Sequence, residues 1–134
     1  MCGSMKFCYT DGGRSLYYSG VVGDCVTRSF ATGLGKSYLE LYELVNKISQ
    51  IEYSSNKKIK GKSSATGGVY HHIISKLAEH FELKFKPKTG IVKNLRRGKY
   101  LVLTDGHMTC MLNGVNFDTH DCLDEIYLGY YRIS

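Results

Sequence analysis

The sequence predicts an α+β domain in which N-terminal helices pack on an antiparallel sheet. Two observations carry that reading. Apolar residues recur at helical spacing through Tyr38, Leu41, Tyr42, Val45 and Ile48, and again through Val69/Tyr70, Ile73/Ile74, Leu77/Ala78 and Phe81. From Glu82 onward the period changes from 3.6 to 2, and Asn113-Gly114 punctuates the strand-rich half with a hairpin signal. Helices first and strands afterwards imply segregated layers rather than alternating βαβ units.

Taken in order, Lys6 to Thr10 reads as a short strand, with a turn at Asp11-Gly12-Gly13 and an extended lead-in after it. A first helix is expected from Cys25 to about Thr32, stopping at Gly33-Leu34-Gly35. Asp24 stands where an N-cap carboxylate would accept from the free N–H groups of the first turn. Ser37-Tyr38-Leu39-Glu40 is a capping box that opens the second helix. Between Tyr53 and Gly68 the periodicity disappears into Ser, Asn, Lys and Gly, the composition of a surface loop. The third helix follows from about Gly68, with His71, His72 and His80 as surface or boundary residues. Beyond it, strands are expected at Glu82 to Lys86, Lys99 to Thr104, His107 to Leu112, Val115 to Thr119 and Tyr127 to Ile133, with Ile91 to Leu95 packing before a turn at Arg97-Gly98. Lys99–Thr104 is apolar enough to be buried on both faces. No linker, composition break or internal repeat divides the 134 residues, so a single domain over 1–134 is expected. Met1-Cys2-Gly3-Ser4, ahead of Met5, has the form of a cloning remnant.

Composition narrows the function. No apolar run reaches the length of a membrane span and no signal-peptide pattern is present, so no membrane association and a cytoplasmic location are expected. Five cysteines without a framework spacing are read as reduced thiols; no Cys-x-x-Cys pair exists, so neither a metal site nor a cofactor is implied. The net charge of +6 is concentrated in Lys57-Lys58-Ile59-Lys60-Gly61-Lys62 and between Lys84 and Lys99. Such a face suits acidic partners, nucleic acid included, but lysines in a Gly/Ser-rich loop are ordinarily a solvated surface. Nucleic acid therefore ranks below a protein or peptide partner.

The chemistry-bearing residues are few. Cys25 falls at the first position of a helix, where the dipole favours thiolate over thiol. Its competing reading is plain packing in an apolar helix. A two-residue hairpin at Asn113-Gly114 sets Leu112 opposite Val115, Met111 opposite Asn116, Cys110 opposite Phe117 and Thr109 opposite Asp118. His107 then shares a face with Thr109, Met111, Asn116, Asp118 and His120, with Asp118 diagonal to it. Cys110, Leu112 and Phe117 point to the other side, toward the core. Asp105 and Asp121 also lie near His107 in sequence, but only Asp118 follows from the register. A nucleophilic thiol needs an imidazole to take its proton and a third group to hold that imidazole.

In this order, Gly23-Asp24-Cys25-Val26-Thr27-Arg28, Thr32-Gly33-x-x-Lys36-Ser37-Tyr38, Gly98 to Leu103, Gly106-His107 and Asn113-Gly114-Val115-x-Phe117-Asp118 resemble small papain-like cysteine-peptidase-fold proteins of phages and bacteria. The resemblance covers roughly Gly20 to Asp121. It implies a papain-like fold and a thiol hydrolase, acting on a peptide, isopeptide or related acyl bond of a protein or peptide substrate. It also implies a phage-encoded origin with action in the host cytoplasm. By it Cys25 is the nucleophile, His107 the base and Asp118 the orienting residue. The chain departs from the pattern in one respect: papain-like enzymes complete the oxyanion hole with a glutamine just before the nucleophile. The only glutamine here is Gln50; Ser19 stands near the required spacing, with a shorter side chain. That departure supports an alternative, a papain-fold binding protein or inhibitor of a host factor that acts through its basic face without turnover.

Overall fold

The computed structural model describes residues 6–16, 24–55 and 71–133. Three helices, α1 (Cys25–Leu34), α2 (Tyr38–Ser55) and α3 (His71–His80), accompany six strands. These are β1 (Phe7–Tyr9), β2 (Phe85–Ile91), β3 (Lys99–Thr104), β4 (His107–Leu112), β5 (Val115–Asp118) and β6 (Ile126–Arg132). The strands form one sheet in the order β1-β5-β4-β3-β6-β2. All neighbours are antiparallel except β1, which joins the edge beside β5 in parallel. The architecture is therefore α+β with a mostly antiparallel sheet, and the short first strand belongs to that sheet although the helices separate it from the rest in sequence. Among the described residues no helix is long and apolar enough to cross a membrane.

Alternation along the strands gives the sheet two buried faces. Leu101, Met108, Cys110 and Tyr131 pack with Val26, Phe30, Leu41, Val45 and Leu77 of the helices. On the opposite face Tyr100, Val102, Met111 and Tyr127 pack with Val92 and Leu95. Successive residues of β3 thus enter different cores, which accounts for its continuous apolar sequence.

Several boundaries differ from the sequence expectation. Helix α1 runs through Gly33 to Leu34, and Gly35, at φ 65°, is the left-handed residue that ends it. Gly33 is instead a close-approach glycine: a Cβ there would lie 2.6 Å from the Leu101 Cδ2. Residues Glu82 to Lys84 are not strand. Glu82 adopts φ 59° and closes α3, with the Leu83 N–H donating to the Ala78 carbonyl at 2.9 Å. Strand β2 consequently starts at Phe85 and continues to Ile91 because β6 pairs with it. Its register breaks between Pro87 and Gly90, as an edge strand containing proline permits. The capping box at Ser37 forms, with Glu40 N–H donating to Ser37 Oγ at 3.1 Å. The loop expected between Tyr53 and Gly68, and the start of the third helix near Gly68, lie largely outside the described residues, although α2 extends through Ser55.

The expectation of uniformly reduced thiols does not hold for Cys8, which is disulfide-bonded. Cys25, Cys110 and Cys122 are free.

Candidate active site

Helix α1 and strand β4 bring the site together. Ser29 Oγ donates to the Met108 carbonyl at 3.0 Å, fastening the helix to the start of the strand. One helical turn before Ser29 lies Cys25; one residue before Met108 lies His107. Cys25 accordingly hydrogen-bonds with His107 and with the Met108 backbone.

The hairpin supplies the third group. Asn113 and Gly114 have φ of 52° and 87°, the two positive angles of a type I′ turn. The facing pairs are Leu112–Val115, Met111–Asn116 and Cys110–Phe117. This register carries Asp118 to His107, with His107 Nε2 2.7 Å from Asp118 Oδ2. Asp105 and Asp121 are exposed, and an Asp121 oxygen accepts from the Leu123 N–H at 2.8 Å.

Asp24 corrects the sequence reading. It occupies the N-cap position of α1, and its carbonyl accepts from the Arg28 N–H at 2.9 Å, but its carboxylate caps no N–H. The side chain is fully buried and turns to stronger partners: Arg14 Nη1 at 3.1 Å, the Tyr38 hydroxyl at 2.8 Å, and Arg28 Nη1. Arg28 also reaches Asp118, with Nη2 donating to Oδ1 at 3.1 Å. Arg14, Asp24, Arg28, Asp118 and His107 thus form one chain of alternating charge that ends at Cys25. Asp24, Arg28 and Asp118 each have a counter-ion on either side, which offsets the cost of removing them from water. Arg28 lies one turn beyond Cys25, so the same helix presents the thiol and holds the carboxylate that bonds to His107.

The electrostatics follow from these contacts. Burial alone pulls the His107 ring toward neutrality, but hydrogen bonds with Asp118, Cys122 and Cys25, together with the charge of Asp118, lift it to about 11. Burial pushes the Cys25 thiol up; the hydrogen bonds with His107 and Met108, and the positive charges of His107 and Arg28, bring it below the ordinary thiol value. For Asp118, burial is outweighed by hydrogen bonds from His107 and Thr109, the His107 charge and the Thr119 N–H, which hold it well below the carboxylate range. These directions favour thiolate at Cys25 and imidazolium at His107, beside an ionised Asp118. The other two free thiols differ. Burial, then the charge of Asp118, raises Cys110 to about 12. Burial also raises Cys122, against a hydrogen bond with His107.

The hairpin register places Asn116 and His120 on the face of His107, but their roles, and the presence of Cys122, come from the tertiary structure. Asn116, fully buried, donates from Nδ2 to Thr109 Oγ1 at 2.8 Å and to the Cys110 carbonyl at 3.1 Å. Its Oδ1 accepts from the Cys122 N–H at 2.9 Å, folding the segment after β5 back under the site. As a result His107, Asp118, His120 and Cys122 present donor atoms within 4.8 Å of one another. The sequence offers no recognisable metal ligand set because His107 is distant in sequence and Asp118, His120 and Cys122 follow no standard ligand spacing.

No protein-family model matches this chain, and neither a curated protein nor a solved structure is significantly similar to it. Ser19, the oxyanion candidate, lies outside the described residues, as do Lys57, Lys58, Lys60 and Lys62. Gln50 is exposed on α2, where its amide donates to Ser54 Oγ at 3.0 Å. Of the histidines on α3, His72 and His80 are exposed, and His72 Nε2 meets Glu52 at 2.6 Å.

Proposed function

We propose that this protein is a papain-like thiol hydrolase with Cys25 as nucleophile, His107 as base and Asp118 as the residue that orients His107. The observation that carries the reading is the position of His107, bonded through Nε2 to Asp118 and in hydrogen-bond contact with Cys25. With Nε2 engaged by the carboxylate, Nδ1 is left for the thiol. The Cys25 thiolate attacks the carbonyl carbon of a peptide, isopeptide or related acyl bond. The tetrahedral oxyanion faces the Cys25 N–H at the positive end of α1. Collapse breaks the bond to the leaving group, which takes the Nδ1 proton of His107, and leaves a thioester on Cys25. Water then attacks the thioester, giving its proton to His107 and releasing the acid and the thiolate. The chemistry needs no cofactor, and its substrate is a protein or peptide. The resemblance to small phage proteins makes the host cytoplasm the place of action.

Iodoacetamide labelling with mass spectrometry tests the nucleophile. Cys25 should react near neutral pH well ahead of Cys110 and Cys122, whose thiols are buried and raised. Equal, slow labelling of all three sinks the proposal. A binding protein without turnover is the second reading, favoured by the engagement of the only glutamine on α2. Cys25→Ala separates the two: a biological effect that survives it belongs to binding, and one that disappears belongs to catalysis.

A further inference from the structure

We propose that His107, Asp118, His120 and Cys122 form a binding site for a zinc-class divalent cation, and that an ion held there draws on the same His107 that faces Cys25. Zinc bonds of about 2.0–2.3 Å at tetrahedral angles hold nitrogen, oxygen and sulfur ligands roughly 3.3–3.8 Å apart. Cys122 Sγ lies 3.3 Å from His120 Nε2 and 3.4 Å from Asp118 Oδ2. His107 Nε2 and Asp118 Oδ2 are closer, at 2.7 Å, as a shared proton requires, and this pair opens slightly when a metal replaces the proton.

The surrounding contacts orient the ligands as a metal site requires. Asp118 Oδ1 accepts from Arg28 at 3.1 Å and from the Thr119 N–H at 2.6 Å, which leaves Oδ2 as a single facing oxygen. Arg28 adds positive charge nearby, but Asp24 on its other side balances it. Asn116 fixes the backbone of Cys122. Residues 118, 120 and 122 supply three ligands from one five-residue segment, so only His107 must be recruited from a distant element, and the sheet register already places it. Cys122 is buried, whereas the His120 side chain is 54% exposed, with Glu125 3.5 Å from its ring nitrogen; this is the solvent side from which an ion enters. Two imidazoles and a thiolate favour zinc over magnesium or calcium, which select oxygen.

Binding releases two protons, one from the Cys122 thiol and one from between His107 and Asp118, and involves no change of oxidation state. His107, held through Nε2 by the metal as a neutral ring, no longer offers an imidazolium to Cys25. This competition rests on the proposed hydrolase reading; the metal site itself does not.

The test titrates the full chain with zinc chloride by calorimetry and with cobalt chloride by visible absorption, in no other ligand. One equivalent should bind, with a thiolate-to-cobalt charge-transfer band. Cys122→Ser should abolish the band, and both Cys122→Ser and His120→Ala should weaken zinc binding by at least about tenfold. Cys25→Ser should bind zinc at least as tightly as the parent, since Cys25 is not one of the four ligands and its thiolate no longer holds His107 protonated. His120 is exposed, so His120→Ala decides the matter if Cys122→Ser does not fold. Absence of stoichiometric binding overturns the site; so does affinity indifferent to His120, or lost in Cys25→Ser. Zinc should also slow iodoacetamide labelling of Cys25. A labelled but non-binding protein refutes the metal site alone, and a binding protein with an unreactive Cys25 refutes the hydrolase alone.

Discussion

Asp118→Asn isolates the charge that holds His107. The substitution preserves shape and retains an oxygen that can accept from Arg28 Nη2 and from the Thr119 N–H. What it removes is the negative partner of a 2.7 Å hydrogen bond between two largely buried groups. A hydrogen bond to a charged group contributes about 1.5–3 kcal/mol. At about 1.36 kcal/mol per decade, the thiolate–imidazolium population should fall roughly ten- to a hundredfold. His107 should move down from about 11 and Cys25 up from its lowered value, so the pH at which the thiolate appears rises. Iodoacetamide labelling of Cys25 followed by mass spectrometry near neutral pH reads the population, and thiolate ultraviolet absorbance against pH reads the shift. Asp121→Asn is the control, because its side chain is exposed and bonds only locally; it should stay within about twofold. Parental rates and an unshifted titration in Asp118→Asn would refute the reasoning, as would an equal loss in Asp121→Asn.

Other outcomes follow from the same contacts. Hydrolysis should rise as pH passes the lowered Cys25 value and fall as His107 loses its proton near 11, a bell-shaped profile in kcat/KM. Asp118 is depressed in the folded state, so the stability it contributes is present above the ordinary carboxylate value of 3.8 and is lost as acid protonates it; Asp118→Asn should flatten that part of a urea-unfolding series against pH. Arg28→Met leaves Asp24 and Asp118 each short of a buried counter-ion and should cost about 3–5 kcal/mol in urea unfolding. Gly114→Ala places a Cβ 3.1 Å from the Arg96 carbonyl at φ 87° and should cost about 1–2 kcal/mol. It should also lower Cys25 labelling if the hairpin register carries Asp118 to His107.

The elements themselves were legible in the sequence because each rests on local periodicity or local turn chemistry. The stripe through Tyr38, Leu41 and Val45 is buried as its spacing implies, and Asn113-Gly114 sets a register by backbone angles that few other residue pairs adopt. Because side chains alternate along a strand, that register also placed Asp118 on the face of His107. Long-range choices were not legible. The parallel pairing of β1 with β5, the extension of β2 along β6 and the passage of α1 through Gly33 depend on neighbours distant in sequence. Asp24 is the clearest case. Its local prospect was an N-cap, but a folded interior that brings Arg14, Arg28 and Tyr38 to one carboxylate offers stronger partners than backbone N–H groups that water can serve. Cys122 and His120 join the site for a related reason: Asn116 is anchored on β4 by two donated hydrogen bonds and accepts a third from the Cys122 N–H, which folds their segment beneath His107. Sequence determined which elements carry Cys25, His107 and Asp118 and which face the last two share. Tertiary structure decided which charges surround them, because burial makes each ion seek a partner regardless of its distance along the chain.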